Sequence, residues 1–217
     1  MRLAATDLAK YPKAMQVVLP DRETKASFEV CGEDRPLNDD EFFDFCMKNA
    51  DLRIERLANG EIIIMPPAGL ETGCQNNEIS AQLRNWARAD GRGAAFDSNT
   101  EFILASGAAF APDASWVLKS RLAKLTKEQK KQFGRICPDF VIELRSPSDR
   151  LPSLKAKMDE WIQNGVQLGW LIDADSRLVF IYRPGKVVEE VRDASAIEGE
   201  GPVEGFHLNL EAVWEGL

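Results

Sequence analysis

The chain has 217 residues, 44% of them hydrophobic and 29% charged, which is the balance of an ordinary globular protein with one large domain. Its formal net charge of −8 at pH 7 argues against a non-specific nucleic-acid binder, although a local basic groove stays compatible with it. No apolar run is long enough to cross a membrane and the N-terminal segment has no apolar core, so we expect no membrane span, no signal peptide and a cytoplasmic protein.

The residue types that bind transition metals are scarce in this sequence. A single histidine, His207, excludes sites built on two or three histidines, such as those of HExxH proteases and HNH nucleases. The four cysteines form no CxxC pair and are expected to be buried free thiols. The sequence has neither the GxSxG elbow of serine hydrolases nor the GxxxxGK phosphate loop of NTPases, which argues against both classes. Any catalytic metal must therefore be held by carboxylates and carbonyls, which suits Mg²⁺, Mn²⁺ or Ca²⁺ rather than Zn²⁺.

The first part of the chain predicts an irregular arm, a helix, a strand and a second helix. Residues 1–36 lack a sustained period and are interpreted as an N-terminal extension to a domain spanning 37–217. Asn38, with Glu41 three residues later, is the pattern of a helix capping box. GEIIIMPP predicts a short strand. In CQNNEISAQLRNWARADGR the apolar residues recur at helical spacing, and Gly91 is expected to end that helix.

The remaining segments alternate between strands and helices. EFILASGAAFAPDASWVL predicts two strands around Gly107, and LTKEQKKQF predicts a short helix with Thr126 as its N-cap. PDFVIELRS is typical of a central strand. In the loop after it, Ser146 and Ser148 could donate to a phosphate or cap the next helix; we expect capping, for which Asp149 is another candidate. That helix is SDRLPSLKAKMDEWIQNG, followed by a meander of three strands and a last helix, NLEAVWEGL. This order predicts one α/β domain with a mixed sheet.

Two acidic residues occupy positions where acids are rare unless they are used. Asp113 follows a proline and opens an apolar strand, and Glu143 lies inside the most hydrophobic strand of the chain. Strand alternation places Glu143 on the same face as Asp139 and Val141. A carboxylate inside a central strand needs a metal, a cation or an opening to solvent to offset the cost of its burial.

The strings PDASWV, CPDFVIELRSPSD and NGVQLGWLID, with the helix KxKMDEWIQNG between the last two, resemble the Uma-type restriction endonucleases of the PD-(D/E)XK superfamily. The resemblance covers roughly residues 38 to 192. It implies a restriction endonuclease-like fold, in which helices flank a central mixed β-sheet. It also implies a metal-dependent endonuclease that hydrolyses phosphodiester bonds in DNA.

The resemblance assigns roles to individual residues. Asp113 matches the first acidic residue of the superfamily motif and Glu143 the second, and the backbone carbonyl of Leu144 would be a further metal ligand. These ligands and several waters would hold Mg²⁺ or Mn²⁺. Glu78 resembles the additional helical acid of many members, with a solvated helix-face glutamate as the alternative.

The sequence departs from the motif at Arg145, where the superfamily has a lysine. Arginine can clamp a phosphate, but it does not give up its proton near neutral pH. In some members the lysine lies on the following helix, where Lys157 borders the apolar stripe and is our candidate.

Two alternatives stay open. One is an inactive nuclease fold that binds nucleic acid or a protein, and the other is an unrelated protein in which Asp113 and Glu143 pair with arginines such as Arg145.

A basic segment between the two acidic strands is a candidate to bind DNA, because one of its faces could follow a phosphate backbone. Its candidate residues are Lys119, Arg121, Lys124, Lys127, Lys130 and Lys131. The alternative is a solvated helix face.

Since many nucleases of this superfamily cut both strands as dimers, we also expect a homodimer.

Overall fold

The structure is a computed structural model, and it describes residues 27–28, 31–32 and 35–217, the first two pairs by their backbone alone. The predicted N-terminal extension, residues 1–36, therefore lies almost wholly outside the described residues, and its boundary stays a prediction. The chain divides into two compact units, which are Met1–Pro67 with Ala105–Phe110, and Ala68–Leu104 with Ala111–Leu217.

Short strands occur in both units. In the first half of the chain they are Ser27–Phe28 (β1), Cys31–Gly32 (β2), Arg35–Pro36 (β3), Arg53–Arg56 (β4), Ile62–Met65 (β5), Gly93–Asp97 (β6), Phe102–Ile103 (β7) and Ala109–Phe110 (β8). In the second half they are Ala114–Leu118 (β9), Phe140–Leu144 (β10), Leu168–Asp173 (β11), Leu178–Tyr182 (β12), Glu189–Arg192 (β13), Ala196–Glu198 (β14) and His207–Asn209 (β15). The α-helices are Asp39–Lys48 (α1), Leu70–Asp90 (α2), Lys119–Leu122 (α3), Leu151–Gln163 (α4) and Glu211–Glu215 (α5).

The first unit contains α1 and an antiparallel sheet in the order β1-β5-β4-β8. The predicted capping box of α1 is confirmed: the Asn38 side chain accepts from the Glu41 N–H at 3.0 Å, and the Asn38 N–H donates to the Glu41 side chain at 2.8 Å. The buried Arg56 donates to the carbonyls of Leu37 and Gly107 and to the Asp39 carboxylate, so one guanidinium ties the strand to the start of the helix.

The second unit contains a six-stranded mixed sheet in the order β13-β12-β11-β10-β9-β6. β10 and β11 are parallel and the other neighbours are antiparallel, as the predicted mixed α/β sheet requires. On one face the buried Ile79 and Leu83 of α2 join the main apolar core with Trp116. On the other face α4 packs so closely that a Cβ at Gly169 would lie 2.5 Å from the Met158 side chain. The two faces of β10 are therefore covered by different helices.

Most of the predicted elements are confirmed. Gly91 ends α2 in the left-handed conformation, and β11, β12 and β13 form the expected meander. The predicted short helix after Thr126 is wrong in type: the Thr126 and Gln129 cap contacts form, but only a 3₁₀ turn, Gln129–Lys131, follows. Among the described residues, none of the helices combines the length and the hydrophobicity of a membrane-spanning segment.

The predicted capping of α4 by Ser146 or Ser148 is also wrong. The N-cap position is Arg150, which makes no side-chain cap. Ser146 instead donates its N–H and its hydroxyl to Asp149, and the two serine hydroxyls bond to each other, so the SPSD loop closes on itself. The loop satisfies its own polar groups rather than those of the helix.

Candidate active site

Asp113 and Glu143 lie at the end of the ladder between β9 and β10. The last register pair of these antiparallel strands is Ala114 with Ile142, and the two acids are the next residues outward on their strands. The N–H of Leu144 donates to Asp113 Oδ2 at 2.8 Å. Asp113 is 9% exposed and Glu143 3%. The structure thus brings the two predicted carboxylates to the same edge of the sheet, in a largely buried setting.

Helix α2 holds Asp113 in place. The Asn76 side chain donates to Asp113 Oδ1 at 2.9 Å, and the Ser80 hydroxyl, one turn along the helix, lies 3.5 Å from the Asp113 backbone carbonyl. Sequence reasoning missed Asn76. Its signal was weak but present, since Asn76 and Ser80 are polar residues at helical spacing beside the buried stripe of Ile79 and Leu83.

Helix α4 holds Glu143 from the other face of the sheet. Lys157 Nζ lies 2.9 Å from Glu143 Oε1, and the indole N–H of Trp161 donates to the same oxygen at 2.9 Å. Lys157 and Trp161 are four residues apart and so lie on one side of the helix. The lysine proposed to replace the motif lysine is therefore in contact with the second motif acid. The contact of the Trp161 indole with Glu143 was not predicted from the sequence, where Trp161 fits the apolar helical stripe.

Arg145, which occupies the motif lysine position, is bound by a different acid. Its Nη1 donates to Asp173 Oδ2 at 2.6 Å, and Asp173 is 2% exposed. Because Leu144 pairs with Ile172 in the parallel ladder, Arg145 and Asp173 are the next residues outward on β10 and β11. Glu143 with Lys157, and Arg145 with Asp173, form two neighbouring ion pairs. The alternative in which Arg145 neutralises the motif acids is not the arrangement found.

The oxygen ligands at this edge of the sheet suit a hard divalent cation. Two carboxylates are present, and the Leu144 carbonyl faces the Asp113 side, since the N–H and C=O of one strand residue point to the same neighbour. Mg²⁺ is commonly held by one or two carboxylates and keeps several waters. Within the described part of the chain, no group of three or more His, Cys, Asp or Glu side chains is placed to hold a metal ion.

The predicted helical acid Glu78 is not brought to this pair. It accepts from Gln82, whose side chain also binds the backbone of Asn209 in β15. Glu78 lies two residues from Asn76, which is about 200° around an α-helix, so the two side chains face different ways. The α2 side chain that contacts Asp113 is therefore an amide rather than a carboxylate, and a metal role for Glu78 stays a prediction.

The basic segment is only partly placed as expected. Lys119 donates to the Gly91 carbonyl at 2.6 Å and Arg121 to the Asp139 carboxylate at 2.7 Å, at the end of β9 opposite to Asp113. Five strand residues, about 17 Å, separate the two ends. Lys119 and Arg121 thus hold the far edge of the sheet together, and their assignment to a DNA-binding face stays a prediction. The other four candidates, Lys124, Lys127, Lys130 and Lys131, are exposed.

Comparisons with known proteins give a family and a similar fold. The family model Uma2, described as "Putative restriction endonuclease", matches residues 39–211. A crystal structure at 1.96 Å of "a putative nuclease belonging to DUF820" from Anabaena variabilis ATCC 29413 is similar, with a TM-score of 0.66 and 23% sequence identity. The match covers 83% of this chain and 98% of that one. No curated protein matches. The structural likeness supports the predicted fold class, with a mixed sheet between helices.

Proposed function

The chain belongs to the Uma2 family of "Putative restriction endonuclease" proteins, and we propose that it is a metal-dependent endonuclease that hydrolyses phosphodiester bonds in DNA. One observation carries the proposal: two buried carboxylates, Asp113 and Glu143, lie at the ends of neighbouring strands, with the Lys157 ammonium 2.9 Å from the second. Metal ligands and a cationic donor that lie together can catalyse phosphodiester hydrolysis.

Asp113, Glu143 and the Leu144 carbonyl are the residues that would hold the metal, Mg²⁺ or Mn²⁺. When bound, such an ion polarises a phosphodiester oxygen and lowers the pKa of a coordinated water. Hydrogen bonds orient the two carboxylates before a metal binds. Asn76 and the Leu144 N–H each donate to one oxygen of Asp113, and Lys157 donates to Glu143. Preorganised ligands need little rearrangement when the ion arrives.

Lys157 takes the place of the motif lysine in this proposal. Its side chain is 14% exposed, and its ammonium lies 2.9 Å from the Glu143 carboxylate. An ammonium there can donate to a water that attacks the phosphorus or to the charge that develops on a phosphate oxygen. Arg145 stays bound to Asp173 and acts as a structural cation at the neighbouring strand end.

The partner proposed is DNA, and the exposed residues Lys124, Lys127, Lys130 and Lys131 are its candidate phosphate contacts. A local basic strip of this kind can bind a polyanion although the whole chain carries a charge of −8. We further propose a cytoplasmic protein that forms a homodimer, in which two sites related by symmetry could cut both strands of a duplex. The alternative, a nuclease fold that only binds, is favoured by Arg145 at the motif position.

Calorimetric titration with Mg²⁺ and Mn²⁺ tests the metal site directly. Wild type is compared with the near-isosteric variants Asp113→Asn and Glu143→Gln, and with Asp139→Asn as a matched control. Asp139 is another buried carboxylate, on the chain just before β10, but it binds Arg121 at the opposite end of the sheet. We expect binding in wild type and in Asp139→Asn, and its loss in the other two.

Nicking of supercoiled plasmid DNA by the same four proteins then tests the reaction. Activity that requires Mg²⁺ and disappears in Asp113→Asn and Glu143→Gln supports the endonuclease, because variants purified in parallel report any contaminating nuclease. Metal binding without cleavage favours the binding module. Absence of metal binding in wild type overturns the proposed function.

A further inference from the structure

Trp161 makes a polar contact that core packing does not require. Its side chain is completely buried, and its indole N–H donates to Glu143 Oε1 at 2.9 Å. A buried indole N–H usually finds a hydrogen-bond partner, which can be neutral. Trp214 does so through the Ala194 carbonyl. Trp161 instead donates to a nearly buried carboxylate, which gives a hydrogen bond stronger than a neutral pair.

The Trp161 ring is well fixed. Phe102 meets it edge-on, with ring centroids 6.5 Å apart and planes at 75°. Its backbone carbonyl accepts the Val166 N–H at 3.1 Å, so the end of α4 is also tied down. A rigid ring with two torsions holds its donor in one place, whereas Lys157 carries its ammonium on a flexible four-carbon stem. Glu143 Oε1 is therefore held by one fixed donor and one movable donor.

We propose that Trp161 is a positioning residue that fixes the Glu143 carboxylate for metal binding, an inference that rests on the proposed function above. When Lys157 turns to a water or a phosphate, the indole N–H keeps Oε1 satisfied, and the carboxylate keeps its rotamer. A neutral donor also suits this task because it adds no positive charge to repel the incoming cation. Trp161 thus keeps one hydrogen bond on the buried Glu143 carboxylate when Lys157 turns away.

The test compares Trp161→Phe with Trp170→Phe, a control with the same chemical change at equal burial. Trp170 is 1% exposed on β11 and stacks on Phe206 at 5.7 Å, in the core on the other face of the sheet. Calorimetry with Mg²⁺ is expected to show a dissociation constant raised about 10-fold in Trp161→Phe, as for other residues that orient metal ligands. Trp170→Phe is expected to bind as wild type does.

A second readout uses wild-type protein, so it does not depend on the folding of any variant. The ¹⁵N-labelled chain is titrated with Mg²⁺, and the indole N–H signal absent from Trp161→Phe is followed. We expect the Trp161 indole signal to shift when Mg²⁺ is added and the Trp170 indole signal to stay in place. Only the Trp161 N–H donates to Glu143, the carboxylate proposed to bind the metal.

The outcomes separate the two proposals. If wild type binds Mg²⁺ but Trp161→Phe binds equally well and the Trp161 signal does not move, Trp161 is a core residue only and the metal site stands. If wild type binds no Mg²⁺, the proposed function fails and this inference falls with it. Loss of affinity in both tryptophan variants, without a specific signal shift, also overturns the positioning role.

Discussion

The ion pair between Lys157 and Glu143 leads to a measurable stability prediction. The two side chains are 14% and 4% exposed, and removing one partner of a buried pair leaves the other charge uncompensated. Such losses cost about 3–5 kcal/mol. Since the Trp161 N–H still donates to Glu143 in Lys157→Met, we expect the lower value, about 3 kcal/mol. For a chain of this length that lowers Tm by about 6–12 °C.

Urea unfolding followed by circular dichroism measures this loss, with Lys155→Met as the matched control. Lys155 lies two residues away on the same helix, is 40% exposed, and reaches Glu190 only at 3.9 Å. It also lies over the Phe180 ring at 4.0 Å. An exposed pair and one cation–π contact together are worth about 1 kcal/mol. The difference between the two lysine variants isolates the buried pair.

The double variant Lys157→Met/Glu143→Gln completes the cycle. Because it removes both charges, we expect it to be more stable than Lys157→Met by about 2 kcal/mol. The reasoning is refuted if Lys157→Met costs no more than Lys155→Met, or if the two substitutions of the pair are additive. Either result would mean that no buried ion pair stabilises this edge of the sheet.

Three further predictions concern packing and protonation. Gly169→Ala should destabilise by about 1–2 kcal/mol in urea unfolding, because its Cβ would lie 2.5 Å from the end of the Met158 side chain, which must shift. Burial raises the pKa of the Cys137 thiol to about 12, so native protein should resist iodoacetamide at that residue at pH 8, and labelling seen there by mass spectrometry would contradict it. The Arg35 hydrogen bond lowers the pKa of Glu41 to about 2 from 4.5. The stability from that carboxylate is thus complete above pH 4.5 and lost as the pH falls through 2, and Glu41→Gln should flatten this part of the acid-unfolding curve.

Local patterns in the chain were sufficient for much of the fold. The capping box of Asn38 and Glu41, the stop at Gly91 and the central strand with Glu143 were all predicted and found. Each depends on residues within about one or two turns or along one strand, where backbone sterics and hydrophobic periodicity act directly. The two motif acids were also predicted, because a carboxylate in an apolar strand stands out in any context.

The partners of those acids could not be read from the same patterns. Arg145 meets Asp173, 28 residues along the chain, because the parallel register of β10 and β11 puts them opposite each other. That Asn76 rather than Glu78 faces Asp113 depends on the rotation of α2 about its axis against the sheet. Local sequence sets which residues share a helix face, but register and helix rotation come from packing of the whole core, and they assign each buried charge its partner.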